Sequence, residues 1–121
     1  MKLLFVHYPK WGTCKKAENW LHINGIDVDT KHIVEDAPTY EELKSWYERS
    51  GYPIKKFFNT SGRLYREMGL KEKIKESTDD ELLELLASNG MLVKRPILIS
   101  DTFILVGFKE SEWHDTLNET D

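Results

Sequence analysis

Within its first 34 residues the chain changes hydrophobic period twice, and this constrains the fold more than any other feature. Leu3, Leu4, Phe5 and Val6 form a brief apolar run stopped by Pro9, which predicts a largely buried strand over residues 2–8. After the loop Pro9-Lys10-Trp11-Gly12-Thr13 the spacing changes. Ala17, Trp20, Leu21 and Ile23 fall on or near one face of a helix from about Cys14 to Asn24, with Gly25 as its stop. Residues 26–34 return to a strand-like pattern, so the segment reads as β-α-β with its two strands parallel.

Two capping boxes mark the next helices. Thr39 with Glu42 and Thr78 with Glu81 each set a hydroxyl three residues before a carboxylate, which satisfies the first free amides of a helix from both sides. They predict helices over about 40–50, closed by Gly51, and 79–89, closed by Asn89-Gly90. Pro53 can open a short helix over Ile54 to Phe58, and Arg63 to Met68 forms another. Pro96 to Ser100 and Phe103 to Val106 read as a β-hairpin, and Glu110 to Leu117 as a last helix. The order β-α-β, helices, β-β-α describes an α/β, thioredoxin-like sandwich with a helical insertion over about 39–90. At 121 residues and 40% hydrophobic content, the expectation is one domain over residues 1–121.

Composition removes several function classes. The longest apolar stretch is far shorter than a membrane span, and the first residues meet His7 and Lys10 too soon for a secretory signal, so the expected place is the cytoplasm with no membrane partner. Cys14 is the one cysteine, so any redox cycle takes its second thiol from outside. The four histidines lack metal-ligand spacing, and no metal site is expected. No glycine-rich phosphate loop is present, so no bound nucleotide cofactor is implied. Net charge is −4, unevenly spread. Residues 54–76 hold seven basic and three acidic side chains, a local +4, which leaves −8 for the remainder. Such a run is either a solvated helical face or a surface that attracts an acidic partner or an anion. Without a broad basic face, direct nucleic-acid binding is not expected.

Four segments carry a resemblance. Tyr8-Pro9-Lys10-Trp11-Gly12-Thr13-Cys14-Lys15-Lys16-Ala17, Phe57-Phe58-Asn59-Thr60-Ser61-Gly62, Lys94-Arg95-Pro96-Ile97 and Val106-Gly107-Phe108-Lys109-Glu110 recur in the order and spacing of the arsenate reductase (ArsC) family, nearest its short branch with the Spx-type regulators. The resemblance implies a thioredoxin-like fold and a cis-proline at Pro96 facing the thiol loop. It also implies a chemistry in which a thiolate at a helix start attacks arsenate, arginines hold the oxyanion, and glutathione, glutaredoxin or thioredoxin releases the product. Helix-terminal amides favour both a thiolate and an oxyanion. Here the place of the first, nucleophilic cysteine is held by Trp11, and the family's three arginine positions fall on Asn59, Arg95 and Phe108.

The candidate site is therefore Cys14 as the one possible nucleophile, with Arg95, Trp11, Gly12, Thr13 and Pro96 around an oxyanion or a partner. Cys14 is either a helix-start thiol activated by nearby lysines, if solvated, or an inert half-buried residue. Arg95 suits a tetrahedral oxyanion, a partner carboxylate or a pairing with Glu18. Trp11 would lid the site, anchor a partner or fold back over Pro9 or Tyr8. Gly12 is expected to make the turn and Thr13 to supply the N-cap hydroxyl. Two function classes follow: a thiol-dependent oxidoreductase using an external thiol, or a non-catalytic Spx-like module that docks through the surface near Gly51 and Arg95 on a protein such as the RNA polymerase α subunit.

Overall fold

A four-stranded sheet and six helices build the protein in the computed structural model, which describes residues 2–119. In chain order these are β1 (Leu4–His7), α1 (Gly12–Ile23), β2 (Asp29–His32), α2 (Tyr40–Ser50), α3 (Arg63–Glu67), α4 (Leu70–Glu76), α5 (Asp79–Ser88), β3 (Ile97–Ile99), β4 (Ile104–Val106) and α6 (Glu110–Glu119), with 3-10 turns at Ile54–Phe57 and Gly90–Leu92. The chain divides into two compact units, one made of the chain up to His32 and from Arg95 onward, the other of Ile33–Lys94.

The first unit holds the whole sheet, in the order β2-β1-β3-β4. β1 pairs parallel with β2, from Leu4 opposite Asp29 to His7 opposite His32, and antiparallel with β3; β3 and β4 form the hairpin. As an inner strand β1 buries Phe5 and Val6 completely, and every residue of β3 and β4 is buried. α1 turns Cys14, Ala17 and Leu21 inward, and α6 contributes Trp113, fully buried edge-on to Phe5, Trp20 and Phe108. A buried indole N–H needs an acceptor, and Trp113 Nε1 finds the Gly107 carbonyl at 3.0 Å. The α/β, thioredoxin-like order read from the sequence is the order found.

Several boundaries differ. The strands are shorter than the apolar runs that announced them: β2 spans four residues, and Ile26 and Val28 before it pack on the core without joining the ladder. Apolar patterning marks burial, and burial extends past the last ladder hydrogen bond. α1 begins two residues earlier than expected.

In the second unit both capping boxes are formed. The Thr39 and Thr78 hydroxyls accept from the Glu42 and Glu81 amides at 3.1 and 3.2 Å, and both glutamates reach back to the threonine amides at 3.0 Å. These bonds to the charged form, together with the Thr78 hydroxyl, hold the Glu81 carboxyl below its usual range. Gly51 ends α2 in the left-handed region at φ 73°. Gly69, at φ 63°, breaks the central run into α3 and α4, and α4 was not separated from the basic run in the sequence. Asn89-Gly90 does close α5, but for another reason than a left-handed cap: Gly90 is where a Cβ would enter the van der Waals shell of the Ile33 carbonyl. Two phenols tie α2 to α5. Tyr47 donates to Asp79 Oδ2 at 2.6 Å and Tyr40 to Asp80 Oδ1.

Gly90→Ala should cost about 2 kcal/mol or more, because backbone and not a flexible side chain must give way. Gly12→Ala, with open space around it, should be neutral or gain a few tenths of a kcal/mol. Urea midpoints of the two variants at unchanged slope check the pair. The tyrosines predict an alkaline limit. The Tyr40 hydroxyl is pushed up to about 12 by its bond to Asp80, and Tyr47 is raised by its bond to Asp79. A raised folded-state value contributes stability that is full below about pH 10, where the free phenol titrates, and is lost as pH climbs toward 12. Native protein should lose more melting temperature than Tyr40→Phe/Tyr47→Phe between pH 9 and 11.5, both values being about these.

Candidate functional site

The β1–α1 connection and the segment leading into β3 converge within the first unit. Trp11 N–H donates to the Tyr8 carbonyl at 2.9 Å, which closes the loop, and Lys15 N–H donates to the Trp11 carbonyl at 3.1 Å as the first helical bond. Trp11 is thus the N-cap of α1, extended at φ −87° and ψ 127°, and its indole caps nothing. This corrects two expectations. Thr13 is the second helical residue and not the N-cap, with its side chain in solvent; Gly12 is the first helical residue and makes no left-handed turn.

Cys14 lies one residue further along α1 and is 1% exposed. The Tyr8 amide donates to its Sγ at 3.4 Å. The solvated thiol that would gain most from the helix terminus and the nearby lysines is not what this conformation presents.

Arg95 is 2% exposed. Its Cζ lies 4.8 Å from the centre of the Trp11 ring and 5.5 Å from that of Tyr8. The guanidinium is the delocalised, weakly hydrated cation best suited to such faces. Burial pulls its proton affinity below the usual arginine range, while the Cys14 thiol and the Tyr8 phenol, both able to carry negative charge, oppose that. The Arg95–Pro96 peptide bond is cis, Pro96 is buried, and its carbonyl accepts from the Gly107 amide at 2.8 Å. The expectation of Arg95 as part of an exposed docking surface is therefore corrected: a guanidinium covered by two rings has no open face for a partner.

The structure brings Trp11, Cys14, Arg95 and Pro96 together and leaves Gly12 and Thr13 as exposed first-turn residues. Tyr8 is the addition, giving a ring to Arg95 and an amide to Cys14; its place before Pro9 signals a loop and nothing of either contact. Of the other two positions that the resemblance matched to arginines, Phe108 packs against Trp113 with ring centres 4.9 Å apart, and Asn59, in the second unit, is buried and accepts from the Ser61 hydroxyl at 3.3 Å. Among the described residues no group of three or more His, Cys, Asp and Glu side chains could hold a metal, and no helix is long and apolar enough to cross a membrane.

The family model described as ArsC family matches residues 6–116. The chain belongs to the ArsC family. It is 52% identical to the uncharacterized protein YusI of Bacillus subtilis (strain 168), over 95% of this chain and 98% of that one. It is 31% identical to the Regulatory protein MgsR of the same organism, over 92% of this chain and 86% of that one. The crystal structure of an ArsC-family related protein from Bacteroides fragilis superposes with a TM-score of 0.91 at 51% identity, covering 95% of this chain and 97% of that one. One of the relatives of this ArsC-family chain is thus named as a regulatory protein.

Iodoacetamide should alkylate native Cys14 at least about tenfold more slowly than the urea-unfolded chain, since a thiol without solvent access reacts only through opening. Trp11→Ala, which uncovers the arginine side of the site, should recover part of that rate. Equal native and unfolded rates, followed by mass spectrometry, would contradict the burial.

Proposed function

We propose that this ArsC-family chain is a non-catalytic binding module of the regulator type, in which the reductase site has become a structural cluster. The observation that carries the reading is Trp11 stacked on the Arg95 guanidinium at 4.8 Å, at the position where the resemblance puts the attacking thiol. An indole cannot act as that nucleophile, and an arginine covered by rings offers no fork to arsenate. The similarity to a protein named as regulatory, at 31% identity, supports the same reading. The resemblance to Spx-type regulators makes the RNA polymerase α subunit the partner to test first, with contact through the exposed surface around Gly51 and not through Arg95.

A second reading has one observation in its favour. Cys14 lies close enough to Arg95 for a thiolate there, once formed, to favour the guanidinium. A thiol-dependent oxidoreductase built on this pair would use Cys14 as nucleophile, Arg95 as oxyanion clamp and glutathione, glutaredoxin or thioredoxin as the reductant that receives the oxidising equivalents. It requires the site to open, because both side chains are buried.

One assay separates the readings: glutathione- and glutaredoxin-coupled NADPH oxidation with arsenate, for the native protein, Cys14→Ser and Trp11→Cys. The expected result is silence from the native protein and Cys14→Ser, with the α subunit retained by native protein at low salt. Native turnover abolished by Cys14→Ser would overturn the binding-module reading and establish the second one. Turnover gained only by Trp11→Cys would mean that the frame is intact and the nucleophile alone is missing.

A further inference from the structure

Within the second unit, two basic residues of the helical surface are paired with glutamates. Arg63 pairs with Glu67 at 3.1 Å and Lys75 with Glu72 at 3.8 Å, both in solvent on α3 and α4. Lys55, Lys56 and Lys94, like Lys44, Lys71 and Lys73, form no ion pair with any described residue, and Lys56 Nζ stands 4.0 Å over the Tyr52 ring. These three lysines line one groove of about 360 Å³ with Pro53, Phe58 and Thr60. Lys94 arrives there from far along the chain through a one-residue bridge. Phe58 pairs antiparallel with Val93, Lys94 N–H donates to the Phe57 carbonyl at 2.8 Å, and Asn59 N–H to the Leu92 carbonyl at 2.8 Å.

We propose that this groove binds an acidic peptide segment of a protein partner, its carboxylates on the three ammoniums and an apolar side chain against Pro53. Charge complementarity names the occupant. Three unneutralised lysines on one concave surface repel one another until an anion joins them, and the volume lies in the range of ligand clefts.

The backbone argues for carboxylates over a phosphate group. Phosphate sites are built from free amides, whereas here the amides of Lys56, Phe58, Asn59, Thr60 and Lys94 all donate to carbonyls of the chain itself. Flexible lysines then supply the recognition as point charges, which suits carboxylates spaced along an extended segment. A long nucleic acid would also meet the −8 carried outside residues 54–76. The groove shares no residue with the Cys14–Arg95 cluster, so it stands whichever reading of that cluster holds.

The test is fluorescence anisotropy of a fluorescein-labelled Glu-Asp-Leu-Asp-Glu peptide on the full chain at about 50 mM salt. Lys55→Gln/Lys94→Gln should weaken binding about fivefold or more. Lys71→Gln/Lys73→Gln removes the same charge from the second unit outside the groove and should change it less than about twofold. Circular dichroism of both variants confirms folding. Equal weakening by the two pairs, or no binding of the peptide, would overturn the site. Tighter binding of inorganic phosphate or oligo-dT with the same dependence on Lys55 and Lys94 would overturn the peptide assignment.

Discussion

Burying a permanent cation is the constraint around which the candidate site is arranged. The Arg95 guanidinium cannot shed its proton at any physiological pH, and taking it out of water costs on the order of several kcal/mol unless something replaces the lost hydration. Two aromatic faces do part of this. Cation–π contacts reach about 2 kcal/mol when desolvated, and Trp11 and Tyr8 both stand within that range of the charge. Trp11 thus has a structural duty at the position the family resemblance assigns to a nucleophile. Trp11→Cys would remove a ring from a buried charge as well as install a thiol.

The same arrangement explains why the helix start carries no side-chain cap. A Ser, Thr or Asp at position 11 would satisfy a first-turn amide of α1, but would leave Arg95 with one ring. The chain has taken the ring instead, and the helix begins at Gly12 with its N-cap defined by backbone alone.

Contacts of this kind join residues far apart in the chain and leave no local mark in the sequence. Capping boxes are local: four residues contain both partners, so Thr39–Glu42 and Thr78–Glu81 were legible and both formed. The parallel β1–β2 pair and the β3–β4 hairpin were legible for a similar reason, since short apolar runs and their separations limit which strands pair, whereas the antiparallel β1–β3 pairing that joins them was not. Thr13 misled because a hydroxyl near a helix start is the usual cap, while a Trp N-cap leaves no chemical trace. Gly90 gave the right boundary through an approach to Ile33, a residue 57 positions away. Tyr8 and Arg95 meet only in the fold, and the basic groove depends on a single bridge between Phe58 and Val93.

The two units therefore differ in what they do with positive charge. In the first, one arginine is withdrawn from water and set against two rings, which fixes a conformation and leaves no open fork. In the second, the helical surface neutralises Arg63 and Lys75 with neighbours one helical turn away, as an ordinary solvated face does. Lys71 and Lys73 on that surface have no ion pair with a described residue, and neither do Lys55, Lys56 and Lys94, but the last three share one groove: Lys55 and Lys56 sit on a 3-10 turn too short to present an i,i+4 partner, and Lys94 joins them only after the bridge has formed. Repulsion among them is a cost that folding does not remove, and a carboxylate-bearing segment from another protein would. On the proposed reading, partner binding is concentrated in that groove, whose lining does not include the buried Cys14.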